Sequence, residues 1–366
     1  MDSLPPELID DIFLYLAGGN RRQHILSLSL VSQILAQRSR PLLFHTITIR
    51  LAKLSKLFKL LENQHQTISK HIRRISIDGQ NSGLVLRQRL PFIFTAIGNK
   101  VDSLSLINVP FHVQHMDFLM HFPAVRFLEI SDTTFVSVSQ AMSLLSCFRL
   151  LRAASLTNIY WNDPSSDTAE NTLPFNVPAS LDKLSLESCY KRDVMECLLS
   201  LHPPPLILDL SLGLLSPSDV GAIGRYISYL GARLKVLSVG FSSLDAGGDA
   251  EDFYVQCPLS MCTGLESIHF EELVFMGAYR LTNPCPWIAK ILSALRSPVL
   301  ARVSFSIHLP AVDSLSCLVD LQWSDIDQAL AQALTLSSCL ERVQLRLRFD
   351  GELEADVLDA VREDRG

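Results

Sequence analysis

The sequence predicts an α/β chain: an N-terminal module of three short helices, then an irregular strand–helix repeat whose parallel strands form one curved sheet. Three observations predict it. A marked helix start lies within the first sixteen residues, a six-residue apolar phrase recurs ten times from Ile72 onward, and helical stretches with polar faces fill most intervals between the copies. Units of this kind bury their apolar edges only against their neighbours, so they stack into a solenoid.

The first helix is set by Leu4-Pro5-Pro6-Glu7-Leu8-Ile9-Asp10-Asp11-Ile12-Phe13-Leu14-Tyr15-Leu16. Ser3 can cap it, the prolines fit a first turn where a missing N–H costs nothing, and Glu7, Asp10 and Asp11 lie near the positive end of the macrodipole. Leu8, Ile9, Ile12, Phe13 and Leu16 lay an apolar stripe along it, and Gly18-Gly19-Asn20 stops it. Helical runs over Gln23 to Ser29 and Val31 to Ser39 follow. Together they carry Ile25, Leu26, Leu28, Leu30, Val31, Ile34 and Leu35, too many apolar side chains for a unit of about forty residues to hide, so a partner should cover some of them.

His45-Thr46-Ile47-Thr48-Ile49 alternates and is rich in β-branched residues, which reads as a strand. Leu51, Leu54, Leu57, Phe58 and Leu61 form a helical face after it, so residues 46–71 are expected to link the helical module, 1–45, to the repeat region, 72–366. The phrase is an apolar residue, two variable ones, an apolar or small residue, one variable residue and a last apolar one. Its copies begin at Ile72, Val101, Val125, Leu151, Leu181, Ile207, Leu234, Leu265, Leu300 and Leu340. Helices are expected over Val113 to His121, Ser139 to Ser146, Arg192 to Leu201, Ser218 to Leu230, Pro286 to Leu295 and Asp325 to Leu336. Gly247-Gly248, set among acids, reads as a flexible loop. A single doubly wound domain is the alternative, although ten strands are unusually many for one open sheet.

Composition bounds the function. The eight cysteines are scattered singly, with no Cys-x-x-Cys pair, which indicates neither a zinc site nor a disulfide framework. The start is acidic, with no signal-peptide pattern, and no apolar run approaches the roughly twenty residues of a membrane span. A cytoplasmic or nuclear protein is expected, with no membrane partner. Residues 21–100 carry 14 Lys and Arg against Glu62 and Asp78, but without the aromatic interleaving of nucleic-acid binding, so no nucleic-acid partner is expected. No nucleophile elbow, phosphate loop or dinucleotide turn is present, and His112, His115, His121 and Asp117 are better explained by a solvated helix than by a metal; no enzyme centre or cofactor is expected.

Leu4-Pro5, Glu7, Ile12, Leu16, then Ser29-Leu30-Val31-Ser32 and Arg40-Pro41-Leu42-Leu43-Phe44, resemble an F-box in order and spacing. One feature departs: Leu35 stands where the family usually has an aromatic residue. The stretch from Ile72 resembles an irregular leucine-rich-repeat region, and the copy with Cys189 nine places along resembles the cysteine-containing subtype common in F-box proteins. F-box modules bind the Skp adaptor of cullin-RING ubiquitin ligases. The resemblance therefore implies a substrate-recognition subunit of a Skp-cullin-F-box (SCF) E3 ubiquitin ligase, non-catalytic itself, which contacts the adaptor through Leu4, Pro5, Leu8, Ile9, Ile12, Leu16, Leu30 and Val31. A scaffold that binds the adaptor without delivering substrate, and a free-standing repeat-type inhibitor, stay open.

The third, fifth and seventh residues of the phrase should point to the concave side of the sheet. Seven of the ten fifth positions are serine, which relieves crowding where parallel strands curve together. Glu129, Glu187, Asp209 and Glu271 make the middle mildly acidic, while Arg302, Arg342 and Arg346 cluster on the last two strands. Guanidinium groups on strands about 5 Å apart could grip a carboxylate or phosphate in bidentate fashion, so an acidic or phosphorylated protein target is expected there.

Overall fold

The computed structural model describes residues 5–17, 22–50, 68–79, 97–109, 119–161, 176–241, 248–274, 285–309, 323–337 and 339–349, with positions 59 and 111. The chain divides into two compact units, residues 1–154 with 158–180, and residues 155–157 with 181–366.

The first unit opens with helices α1 (Pro6–Ala17), α2 (Arg22–Ser29) and α3 (Gln33–Leu43). The third helix starts two residues after the Val31 expected from periodicity, because Ser32 is extended and its hydroxyl accepts from Leu35 N at 3.2 Å. The helix then runs on past Ser39 and accommodates Pro41 in its last turn. Phe13, Ile25, Leu35 and Leu43, one or two from each helix, close a small core against which Ile9, Leu16, Leu28, Leu42 and Phe44 pack. Arg38 hydrogen-bonds Asp10 and ties α3 to α1.

Strands β1 (Thr46–Arg50), β2 (Arg74–Asp78), β3 (Ser103–Ile107), β4 (Phe127–Phe135) and β5 (Ala153–Trp161) follow in chain order, with helix α4 (Val138–Ser146) between the last two. β1 pairs with β2 in parallel, Thr46 against Arg74. The ladder therefore begins at Thr46 and not at Ile72, and the strand expected to be a linker is its first rung. Register sets Phe44-His45-Thr46-Ile47-Thr48-Ile49 against Ile72-Arg73-Arg74-Ile75-Ser76-Ile77, so the phrase has a further copy here, and its first residue, Phe44, is easily assigned to the helical module because it packs on that module's core. The expected helix over 51–61 lies almost entirely outside the described residues, as does Val113–Phe118; Leu119, Met120 and His121 form a 3₁₀ turn. Phe111 and Phe135 stack at 5.1 Å in this unit's core, and buried Gln140 accepts from Val136 N at 2.8 Å and donates to Phe111 O at 3.3 Å.

The second unit carries β6 (Lys183–Glu187), β7 (Asp209–Leu215), β8 (Val236–Phe241), β9 (Ser267–Val274), β10 (Arg302–Leu309) and β11 (Arg342–Phe349), again parallel and in chain order. A doubly wound sheet would reverse direction at a switch point, and this order does not. Helices α5 (Lys191–Ser200), α6 (Pro217–Leu230), α7 (Gly248–Gln256), α8 (Pro286–Ala294) and α9 (Trp323–Leu336) alternate with the strands, each packing on the next. Five of the six expected helices, α4 of the first unit among them, recur within two residues of their predicted ends, and α7 is an addition to them. The stretch read as a flexible loop is helical from Gly248 onward, because Ala250 and Phe253 are buried while Glu251 points out and pairs with Lys290 at 2.8 Å. Asp219 joins two of these helices. Its carboxylate accepts from Ser216 N at 3.0 Å, closing the first turn of α6, and from Arg192 N at 3.1 Å on α5.

Register explains why the phrase repeats. Equivalent positions sit side by side, so Leu184, Leu210, Leu237, Ile268, Val303 and Val343 form one row. All but Val343 are buried, as are the first residues of the copies from Leu181 to Leu300. The carbonyl of each second residue accepts from the second and third N–H of the next copy: Asp182 from Leu208 and Asp209, Leu208 from Lys235 and Val236, Lys235 from Glu266 and Ser267, at 2.7–3.0 Å. Buried serines add a side-chain version. Ser297 Oγ donates to Leu265 O at 2.7 Å and Ser337 Oγ to Leu300 O at 3.0 Å. Spacing, parallel pairing and stacked phrases make this a leucine-rich-repeat-like region.

Candidate functional site

Two places carry side chains that the fold itself does not consume. The first is the outer surface of the three-helix module. Leu8, Ile12 and Tyr15 recur at intervals of four and three, which puts them on one face of α1, and all three are exposed, Ile12 by 43%. Leu26, Leu30, Val31 and Ile34 are exposed along the end of α2, the turn and the start of α3, with Leu30 open by 88%. Of the expected adaptor contacts, Pro5, Leu8, Ile12, Leu30 and Val31 thus face outward, Ile9 and Leu16 pack against the module's core, and Leu4 lies outside the described residues. Leu35, the departure from the family pattern, is buried in that core, so it shapes the module from within.

The second place is the face of the second unit's sheet opposite the buried row. The fifth positions there read Ser185, Ser211, Ser238, His269, Ser304 and Gln344, aligned strand by strand. The seventh positions read Glu187, Gly213, Gly240, Glu271, Ser306 and Arg346. Two glycines thus separate two glutamates. Gly213 adopts a φ of 55°, which other residues reach only with strain, and a Cβ on Gly240 would stand 2.7 Å from Glu271 O, so neither position readily takes a side chain. A cavity of about 210 Å³ lies beside Gly213, lined by Ser185, Glu187, Ser211, Gly213, His269, Glu271, Ser306 and Arg348.

Polar groups in this cavity are fixed by one another. Glu271 Oε1 accepts from Ser211 Oγ at 3.3 Å and from Ser238 Oγ, which holds the carboxylate over β8 and β7. His269 meets Ser304 Oγ through Nδ1 at 2.5 Å and Ser306 Oγ through Nε2 at 3.1 Å. Ser306 beside an imidazole suggests a nucleophile and its base, but a triad needs a carboxylate on the other ring nitrogen. A hydroxyl stands there instead. Among the described residues, no group of three or more His, Cys, Asp or Glu is arranged to hold a metal ion. Burial pushes the thiols of Cys189 and Cys285 up to about 12 and that of Cys262 up to about 11, so they are protonated at neutral pH.

Burial also lowers the pKa of His269 below its ordinary 6.5; the charges of Arg346 and Arg348 act in the same sense, and Glu271 and the bond to Ser304 oppose it. A histidine whose folded pKa is depressed binds its proton more readily in the unfolded chain. Its contribution is neutral above pH 6.5 and turns destabilising as pH falls from there through the folded pKa. Melting temperature is therefore expected to fall between pH 7 and pH 5, and His269→Gln to flatten that slope; an unchanged slope would show that other groups set it.

The three expected target-binding arginines divide. Arg302 and Arg342 are exposed register partners on β10 and β11, whereas Arg346 stands opposite Ser306, four residues farther along. None of the three lines the cavity. Its cation is Arg348, which sequence reading passed over although the alternation of Arg342, Gln344, Arg346 and Arg348 places it on the same face.

No family model matches the chain, and no curated protein matches it. Nineteen solved chains do. Among them is the leucine-rich repeat-containing protein LegL7 from Legionella pneumophila, 13% identical over 87% of this chain and 97% of that one, with a TM-score of 0.47.

Proposed function

We propose that the chain is a non-catalytic receptor: its N-terminal helices dock a Skp-type adaptor, and through it cullin, while the repeat region holds a protein target for ubiquitylation. One observation carries this reading. The three-helix module closes its own core and still leaves Leu8, Ile12, Leu30 and Val31 exposed; the last three belong to the F-box-like pattern and Leu8 to the apolar stripe beside it. Apolar surface is worth about 25 cal/mol per Å² when covered, so a partner on these residues gains several kcal/mol from a few hundred Å². The contribution to ubiquitin transfer would be effective concentration, a target held near the charged E2. This reading places the protein in the cytoplasm or nucleus.

Co-purification tests it. Adaptor together with cullin supports the receptor; adaptor alone supports the scaffold, which binds without delivering; neither refutes both. Arg302 and Arg342, adjacent and exposed, are the proposed grip on a carboxylate or phosphate of the target. Reversing both to glutamate is expected to weaken capture of such a target at least about tenfold, the equivalent of one charge-assisted bond, and to spare adaptor binding. Unchanged capture would move the acidic contact elsewhere.

A further inference from the structure

On the open face of the second unit, Glu187 on β6 and Glu271 on β9 line the same cavity from opposite sides of Gly213 on β7. From this geometry we infer that the cavity is a recognition pocket for one basic side chain, lysine or arginine, of a bound polypeptide. The inference rests on the reading of the repeat region as a target-binding surface, and it names a contact that the exposed arginines do not supply.

Size comes first. Three strand spacings of about 4.8 Å put the backbones of β6 and β9 about 14 Å apart. Each glutamate side chain spans roughly 4 Å from its Cα, which leaves about 6 Å between the two carboxylates. That is close to twice the length of a charge-assisted N–H···O bond, about 2.8 Å, so one ammonium or guanidinium group can bond both sides at once. The volume agrees. A cavity of about 210 Å³ is smaller than the roughly 300–1,000 Å³ of sites built for small-molecule ligands and is of a size to hold one long side chain.

Chemistry comes second. Glu271 is preorganised, because Ser211 and Ser238 both donate to Oε1 and leave Oε2 for a ligand. Glu187 has no hydrogen bond or ion pair among the described residues, and its Cγ stands 3.6 Å from where a Cβ of Gly213 would be, so the glycine clears its path over β7. Ser185 and Ser211 supply further acceptors on the floor. Arg348 lines the wall on the β11 side and, with Arg302, Arg342 and Arg346, marks that side for an acidic neighbour of the same bound segment.

The test uses the full-length chain, immobilised, and four hexapeptide pools that are degenerate except for a fixed Arg, Lys, Gln or Glu at the third position. The Arg or Lys pool is expected to be retained at least about tenfold over the Gln pool, as one charge-assisted contact would give. Glu187→Gln with Glu271→Gln should erase that preference; the amides keep the shape and can still accept from Ser211 and Ser238, and an unchanged melting temperature verifies the fold. Equal retention of all pools, preference for the Glu pool, or a preference that survives the double substitution would overturn the inference. So would displacement by free spermidine without any residue preference, which would reassign the pocket to a small amine. Adaptor capture is read separately on the N-terminal module, so failure here leaves the docking proposal standing.

Discussion

Replacing Phe270 by alanine is expected to cost the second unit about 3–5 kcal/mol, the range for deleting a fully enclosed phenylalanine. The ring is completely buried, stacks on Phe305 at 5.3 Å and meets Trp287 edge-on at 5.8 Å. Trp287 in turn packs on Phe241, which meets Phe253 at 5.4 Å. One deletion therefore opens a cavity at the centre of an aromatic chain drawn from β8, β9, β10, α7 and α8, and no neighbour is free to fill it. Against a total stability of roughly 5–15 kcal/mol the loss is large, and the melting temperature should drop by about 10 °C. Val255→Ala, on the exposed side of α7, should stay within about 0.5 kcal/mol of the parent. Thermal melts of the two variants check this; equal behaviour would mean that the aromatic chain is not where the unit's cohesion lies.

His269 and Glu271 flank Phe270 on the same strand, and this alternation is why the repeat was legible in the sequence while the pocket was not. Apolar residues at the first, fourth and sixth positions recur because register sets each against its equivalent, so the core writes itself into one dimension ten times over. The open face carries no such constraint. Its pocket depends on what is missing at Gly213, and a glycine in a strand gives no sign of which neighbour leans over it. The sequence marks Glu187 and Glu271 as acids of the middle strands, and the seventh positions set side by side add the two glycines that lie between them. The serines of the fifth positions relieve crowding and are partners as well: Ser211 and Ser238 hold Glu271, and Ser304 holds His269. The acidic stretch after Gly248 hides its helix for another reason. Acids stand on either side of Ala250 and give its first turn no clear apolar period, and only tertiary burial of Ala250 and Phe253 selects the helical conformation.

Glutamate at both Ile12 and Leu30 is expected to abolish adaptor capture, by at least about a hundredfold. The positions are chosen because the module's own core does not use them: Phe13, Ile25, Leu35 and Leu43 fill it, and Ile12 and Leu30 lie outside it, the latter almost wholly exposed. A carboxylate at either site is well solvated in the free chain, so folding is spared. In a complex the balance reverses. Each substitution forfeits about 1.5–3 kcal/mol of apolar burial and forces an unpaired charge out of water, and two such losses exceed the roughly 2.8 kcal/mol that a hundredfold change requires. Phe13→Ala should also lose the adaptor, but by melting the module, with helical circular dichroism falling alongside. Capture of purified Skp adaptor, measured beside the circular dichroism of each variant, separates the two routes. If the double glutamate variant keeps its helices and still binds as the parent does, the exposed faces of α1 and the turn after α2 are not the docking surface, and the receptor reading loses the observation on which it stands.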